Sequence, residues 1–287
     1  MVTTKTFTAD RTVIYRNLLI IQSLMNITTH CYHASPLPEP ILSFFSGMIS
    51  LADLHIHIKE DRHQYTALIH LEKLDNAMQA ADAKIPELLL TKAEQAYFKR
   101  FRYQKRKREW LGGRIAAKAA MLEFTGPGGL LNKMQQVTIL PDEHGRPTAD
   151  PPVNTALSIS HSSDFAVALV SSKKTCGIDL QKISPKLPDL TDRFATAKDL
   201  SILAGLPVAA DHVTRLTMLW AAKEALKKSI LHDQPAIFSG IELRQATVDR
   251  DHTYCISCTV HDLPDQTVMV HDFSPYILAL TETNRYA

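Results

Sequence analysis

Two stretches with apolar residues at helical spacing, 91–124 and 213–231, are each followed by a train of short strand patterns. That arrangement constrains this 287-residue chain more than any other feature. Thr91 stands as an N-cap before the first stretch. Strand patterns cover Tyr65–Leu74, 136–140, 156–160, 165–171 and 176–183, and after helical stretches at 195–204 and 213–231 they return at 241–248, 252–260, 267–271 and 276–281. Two successive groups of this kind predict an α+β fold of two similar halves, each a small, mainly antiparallel sheet packed against a long helix. In the first sixty residues, Ile14, Leu18, Ile21 and Met25 predict an amphipathic helix over 11–27. The prolines of 33–40 predict a loop, and the alternation Leu54, Ile56, Ile58 predicts a strand. No chemistry is visible there. The expected layout is an N-terminal extension, 1–60, a first half, 61–171, and a second half, 172–287.

Composition removes several classes. A hydrophobic share of 45% is too high for a disordered chain. No uncharged run of about 18 apolar residues predicts a membrane span. The opening MVTTKTFTADRT lacks a basic segment leading into an apolar one, so a cytoplasmic protein without a secretory signal is expected. Four cysteines do not make a disulfide framework in a chain this long. Cys255 and Cys258, three apart on a strand pattern, point to opposite faces, which argues against a metal or redox pair. His55/His57 and His30/Cys31/His33 lack a matching second cluster. The net charge of +2 hides an asymmetry: ten basic and two acidic residues lie between Lys92 and Lys118. Phosphate, nucleic acid or an acidic protein would each answer such an element, and a solvated helix face is the plain alternative.

Four segments carry chemistry. In VTRLTMLWAAKEALKKSIL (213–231), Leu216, Leu219, Leu226 and Ile230 form the buried stripe, while Trp220, Glu224 and Lys228 follow one another at i+4 on another face. Lys223 falls near the apolar stripe, where its stem can snorkel. In CGIDLQKI, Asp179 and Gln181 share one strand face and Ile178 and Leu180 the other, with Gly177 permitting a close approach. Asp179 and Glu224 across a cleft would form a hard-oxygen site suited to Mg²⁺. In LSISHSSDF, Ser160 and His161 are neighbours whose side chains diverge on a strand, against a serine hydrolase and open to phosphate contact. In KRFRYQKRKREWLGGR, Arg108 projects along the packed face with Phe101, Leu111 and Ile115, while Arg100, Lys107 and Arg114 are expected in solvent. Arg146, in the HGRP turn, is a further basic residue.

Together these segments resemble the two-domain 4′-phosphopantetheinyl transferases, the type that activates polyketide and nonribosomal peptide synthases. The family's G-[IV]-D and W-x-x-K-E-[AS]-x-x-K motifs stand here as Gly177-Ile178-Asp179 and Trp220 to Lys228 with Lys223 and Glu224 between. Arg193-Phe194, Gly145-Arg146-Pro147, Ser158 to Ser162 and the pair Arg108/Gly112 match its remaining motifs, in order, over about residues 91–232. The resemblance implies a pseudo-dimer of two halves, monomeric in solution, with its site in the cleft between them. It implies transfer of phosphopantetheine from coenzyme A to a serine of an apo acyl or peptidyl carrier protein, releasing 3′,5′-ADP. Asp179, Glu224 and Gln181 are the implied metal ligands for Mg²⁺, with Mn²⁺ as the alternative ion. Glu224 and Lys228 are the implied catalytic pair. Arg108, Arg146, Ser160, His161, Lys223 and Lys228 are the implied contacts to coenzyme A. Gln181 departs from the family's third acidic ligand, leaving a less negative site. The rival readings are a non-catalytic binder of coenzyme A or carrier protein, which Gln181 favours, and a nucleic-acid binder using the seven basic residues of 99–108. No nucleic-acid motif accompanies the latter, and the expected partners exclude nucleic acid and membrane.

Overall fold

The computed structural model describes residues 41, 47–51, 54–61, 63–79, 84–125, 134–150, 154–206, 211–231, 240–250, 252–260 and 263–283. The helix expected over 11–27 and the loop over 33–40 lie outside the described residues. In chain order the elements are β1 (Gly47–Leu51), β2 (Leu54–Asp61), β3 (Gln64–His70), α1 (Leu71–Gln79), α2 (Ile85–Leu89), α3 (Lys92–Phe98), α4 (Gln104–Thr125), β4 (Thr138–Pro141), β5 (Pro147–Asp150), β6 (Ala156–Ser162), β7 (Phe165–Ser171) and β8 (Thr175–Lys182). A 3₁₀ helix (Leu187–Arg193) leads to α5 (Ala197–Ala204), α6 (His212–Ile230), β9 (Ile241–Arg250), β10 (Thr253–Val260), β11 (Gln266–Phe273) and β12 (Tyr276–Thr283).

The strands form two five-stranded antiparallel sheets, ordered β1-β2-β3-β7-β6 and β8-β12-β11-β10-β9, and a β4-β5 ribbon. Period-two burial fixes the layering. On β7, Ala166, Ala168 and Val170 join the core under α4, while Phe165, Val167 and Leu169 face the second sheet. On β8, Ile178 and Leu180 complete that inter-sheet core, and on β12 Ile277 and Ala279 turn the other way, into the core under α6. The order of layers is therefore α4, first sheet, second sheet, α6. FAVALVS reads as a nearly unbroken apolar run because β7 is buried on both faces.

The sheets meet along their edges β6 and β8. Hydroxyls of Ser158, Ser160 and Ser162, every second residue of β6, accept the amides of Ile178, Leu180 and Lys182 at 3.1, 3.2 and 2.9 Å. Side chains here replace a backbone ladder, and they satisfy donors that the β8 edge would otherwise bury unpaired.

One device appears in both halves. Thr91 and Glu94 form a capping box for α3, and Thr196 and Asp199 one for α5. Each acid also accepts a buried lysine from the long helix that follows, Lys118 to Glu94 at 2.5 Å and Lys223 to Asp199 at 2.9 Å. The second carboxylate oxygen takes a strand amide, Ile139 N or Leu243 N, each at 2.8 Å. Carbonyls complete both clamps: Leu89 and Met134 for Lys118, Phe194 for Lys223. The separation of lysine and acid is 24 residues in both.

Several expectations need correction. The strand predicted over Tyr65–Leu74 stops at His70, whose Nδ1 accepts the amides of Glu72 and Lys73 and starts α1. The helix predicted over 91–124 is two, broken at 99–103, where Tyr97, Phe98 and Phe101 gather on Trp110. Phe101 therefore lies off the helix line on which it was placed. Arg114 does not point to solvent: its guanidinium lies 4.4 Å from the Trp110 ring centre and Nε donates to Ile139 O, with burial drawing its pKa down to about 10. β1 and β2 fall inside the expected extension yet pair into the first sheet, so that sheet begins well before residue 61.

Because each clamp lysine is buried with its acid, removing one partner strands a charge. Lys118→Met should cost about 3–5 kcal/mol of stability, read as a fall in urea midpoint. Adding Glu94→Gln should recover part of that loss, since it removes the stranded charge and leaves an amide oxygen for Ile139 N.

Candidate active site

The contact between β8 and α6 builds the site. A Cβ at Gly177 would stand 1.9 Å from the carbonyl oxygen of Ala225, so only glycine lets this strand lie so close to the helix backbone. Two residues on, the same strand face presents Asp179 beneath the turn of α6 that carries Glu224 and Lys228. Thr175 and Ser229 fasten the neighbouring turn, hydroxyl to hydroxyl at 2.9 Å.

Asp179 is 5% exposed. Its Oδ1 accepts Lys228 Nζ at 2.7 Å and Ser160 Oγ at 2.9 Å, while its Oδ2 is buried without a hydrogen-bond partner. Lys228 Nζ also donates to Ile178 O at 3.0 Å. Ser160 thus accepts from Leu180 N and donates to Asp179, joining the inter-sheet seam to the carboxylate. Burial raises the pKa of Glu224, the negative charge of Asp179 adds to the rise, and Lys228 and Lys227 oppose it. Two carboxylates, one with an oxygen aimed at nothing in the protein, fit a divalent cation taken by hard oxygen donors. Among the described residues no group of three or more His, Cys, Asp or Glu forms a metal cluster.

The first half adds His161 and, next to it, an acid that spacing did not single out. His161 Nδ1 lies 3.9 Å from Glu109 Oε1 on α4. Burial lowers the pKa of His161; Glu109 and Asp179 oppose that, and Arg106 and Lys228 reinforce it, so the ring sits in the field of both halves. Lys105 and Arg106 flank Glu109 at 3.9 and 3.6 Å.

The structure brings together Asp179, Glu224, Lys228, Ser160 and His161, with Gln181 half-buried on the same face of β8. Three of the expected residues stand apart. Lys223 is 1% exposed and committed to Asp199 and Phe194 O, so it is a core clamp and not a ligand contact. Arg108 faces Asp75 at 3.8 Å, with its Nε buried and unpaired. Arg146 is exposed and tied to Asp142 at 2.8 Å. Glu109 and Arg106, shortly before Trp110, are not singled out by the sequence analysis, which weighs the basic run only as a whole.

Two family models match consecutive parts of the chain. The 4′-phosphopantetheinyl transferase N-terminal domain matches residues 93–171, which end with β7, and the 4′-phosphopantetheinyl transferase superfamily matches 175–281, which begin with β8. A holo-[acyl-carrier-protein] synthase of Geobacillus kaustophilus (strain HTA426) is 39% identical over 107 residues, 36% of this chain and 81% of that protein. One from Staphylococcus aureus (strain Newman) is 33% identical over 110 residues, covering 38% and 92%. A crystal structure of a holo-(acyl-carrier-protein) synthase from Bacillus anthracis in complex with CoA (3′,5′-ADP) is 30% identical, covering 38% of this chain and 92% of that one, with a TM-score of 0.34. The chain belongs to the 4′-phosphopantetheinyl transferase superfamily and is an enzyme of that class.

The raised pKa of Glu224 has a consequence for stability. A carboxyl whose pKa rises on folding holds its proton more tightly in the folded state, so stability falls as pH climbs from the ordinary carboxylate range through the raised value. In EDTA at pH 7, Glu224→Gln should therefore melt higher than the parent protein. The gain should shrink towards zero as the pH is lowered below about 4. Melting curves across pH check both the sign and the window.

Proposed function

We propose that the protein transfers 4′-phosphopantetheine from coenzyme A to a serine hydroxyl of an apo acyl or peptidyl carrier protein, releasing 3′,5′-ADP. The carrying observation is Asp179, whose Oδ1 is held by Ser160 and Lys228 and whose Oδ2 is buried and unpaired beside Glu224. Asp179 Oδ2 and Glu224, with Gln181 on the same strand face, would hold Mg²⁺ or Mn²⁺. When bound, that ion supplies charge neutralisation for the diphosphate and its leaving group.

The remaining work falls to the side chains. Glu224 takes the proton of the carrier serine as its oxygen attacks the β-phosphorus; burial and Asp179 move its pKa upward, which makes it a better base. Lys228 places an ammonium against the bridging and leaving phosphate oxygens while still bound to Asp179. His161 faces the nucleotide end, and Ser160 acts there only through Asp179, which it holds; the contacts to coenzyme A expected of Arg108 and Arg146 would require both to leave Asp75 and Asp142. The exposed cations of 99–107 would steer an acidic carrier towards the cleft. Both halves of the site come from one chain, which supports a monomer, and the free cysteines Cys176, Cys255 and Cys258 suit a reducing cytoplasm.

Intact mass of an apo carrier protein after incubation with enzyme, coenzyme A and Mg²⁺ tests the reading. The expected result is the gain of one phosphopantetheine, abolished by EDTA and reduced about 100-fold or more in rate by Asp179→Ala. Near-normal transfer by Asp179→Ala would sink the metal assignment. Gln181→Glu adds a carboxylate on the metal-facing side of β8, and should lower the Mg²⁺ concentration needed for half-maximal rate; an unchanged titration places position 181 away from the ion.

A further inference from the structure

Glu109 is out of place in a cleft that binds an anionic substrate. It is 8% exposed, projects from α4 towards His161 on β6, and is ringed by Lys105, Arg106 and His161 at 3.6–3.9 Å. None of those distances reaches hydrogen-bond contact. Fixed structural carboxylates in this protein look different: Glu94 and Asp199 each accept a lysine and two backbone amides at 2.5–2.9 Å. Glu109 instead occupies the centre of a loose ring formed by two cations and the His161 imidazole. Lys105 and Arg106 are mostly exposed, with side chains 78% and 59% accessible, so both can re-aim at another negative group.

We infer that Glu109 is a specificity-determining residue: its carboxylate fills the anion position formed by Lys105, Arg106 and His161, and weakens binding of any terminal phosphate monoester placed there. The inference rests on the proposed binding of coenzyme A with its nucleotide end at His161. The substrate's 3′-phosphate then competes with Glu109 for the same donors and meets its negative charge within a few ångströms. Glu109 thus narrows the difference in affinity between a nucleotide that carries this phosphate and one that lacks it. A residue that merely positioned His161 would act in the opposite direction, because removing it would loosen the imidazole and weaken the phosphate contact.

The test is calorimetric titration of wild type and Glu109→Gln with coenzyme A and with dephospho-coenzyme A, which differ only in the 3′-phosphate. Removing one unit charge at such a distance should tighten coenzyme A by about five- to tenfold and leave dephospho-coenzyme A within about twofold. Unchanged ratios, or weaker coenzyme A binding by the variant, would overturn the inference. A parallel loss for both ligands would assign Glu109 a structural role and overturn it equally; a melting curve of the variant accompanies the titration. Adding His161→Gln should abolish most of the gain, because one of the competing donors is gone; a gain that persists in full would remove His161 from the ring and defeat the inference. Should wild type bind neither ligand, the functional reading itself falls, an outcome distinct from all the others.

Discussion

Everything chemical in this protein depends on how the edge of one sheet is joined to the edge of the other. Strand β8 pairs with β12 on one side only, which leaves the amides of Ile178, Leu180 and Lys182 facing β6. Unpaired, each buried donor would cost on the order of 1–3 kcal/mol. Serine at every second position of β6 removes that penalty with side chains, and so fixes the register of the two halves. Ser160 is the junction, because the hydroxyl that accepts Leu180 N also donates to Asp179. A substitution there would disturb both the join and the carboxylate.

Around that seam lie carboxylates whose hydrogen-bonding capacity the protein does not fill. Asp179 leaves one oxygen unpaired, Glu224 is buried beside a like charge, and Glu109 sits loosely among Lys105, Arg106 and the His161 imidazole. Such groups weaken the folded state unless a ligand completes them. The compensating order lies elsewhere, in two buried lysine clamps that tie the long helices to the elements before and after them. Burial alone would raise the pKa of Asp199, yet the amides of Thr196 and Leu243 and the ammonium of Lys223 outweigh it and hold it low. Here the acid is fully satisfied, as those of the site are not.

The local patterns were legible in the sequence: alternation gave most strands, and Gly177-Ile178-Asp179 gave the face on which Asp179 lies. Tertiary effects were not. The break at 99–103 contains neither proline nor glycine, and it exists because Tyr97, Phe98 and Phe101 pack on Trp110 from outside the α4 line. Lys223 is a site residue only in the family motif it shares with Glu224, since its partner in the fold is Asp199, 24 residues away. One signal could have been read: Thr91-x-x-Glu94 with Ala116-Ala117-Lys118 recurs as Thr196-x-x-Asp199 with Ala221-Ala222-Lys223, every residue offset by the same interval. That recurrence marks both capping boxes and both clamp lysines by residue identity and spacing alone.

The same recurrence shows what sets apart the half that carries Asp179 and Glu224. The residue after Lys118 is Ala119, fully buried, and the residue after Lys223 is Glu224, half-buried. The clamp therefore belongs to the fold and not to catalysis, since it works equally well beside an alanine. What differs is the ground beneath the helix. Gly177 lets β8 touch α6, so that Asp179 and Lys228 meet and a carboxylate at 224 gains a neighbour. The first half contributes the serines of β6, His161 and the cations of α4. Two similar scaffolds thus supply unlike surfaces, and the candidate site lies along the edge where both meet.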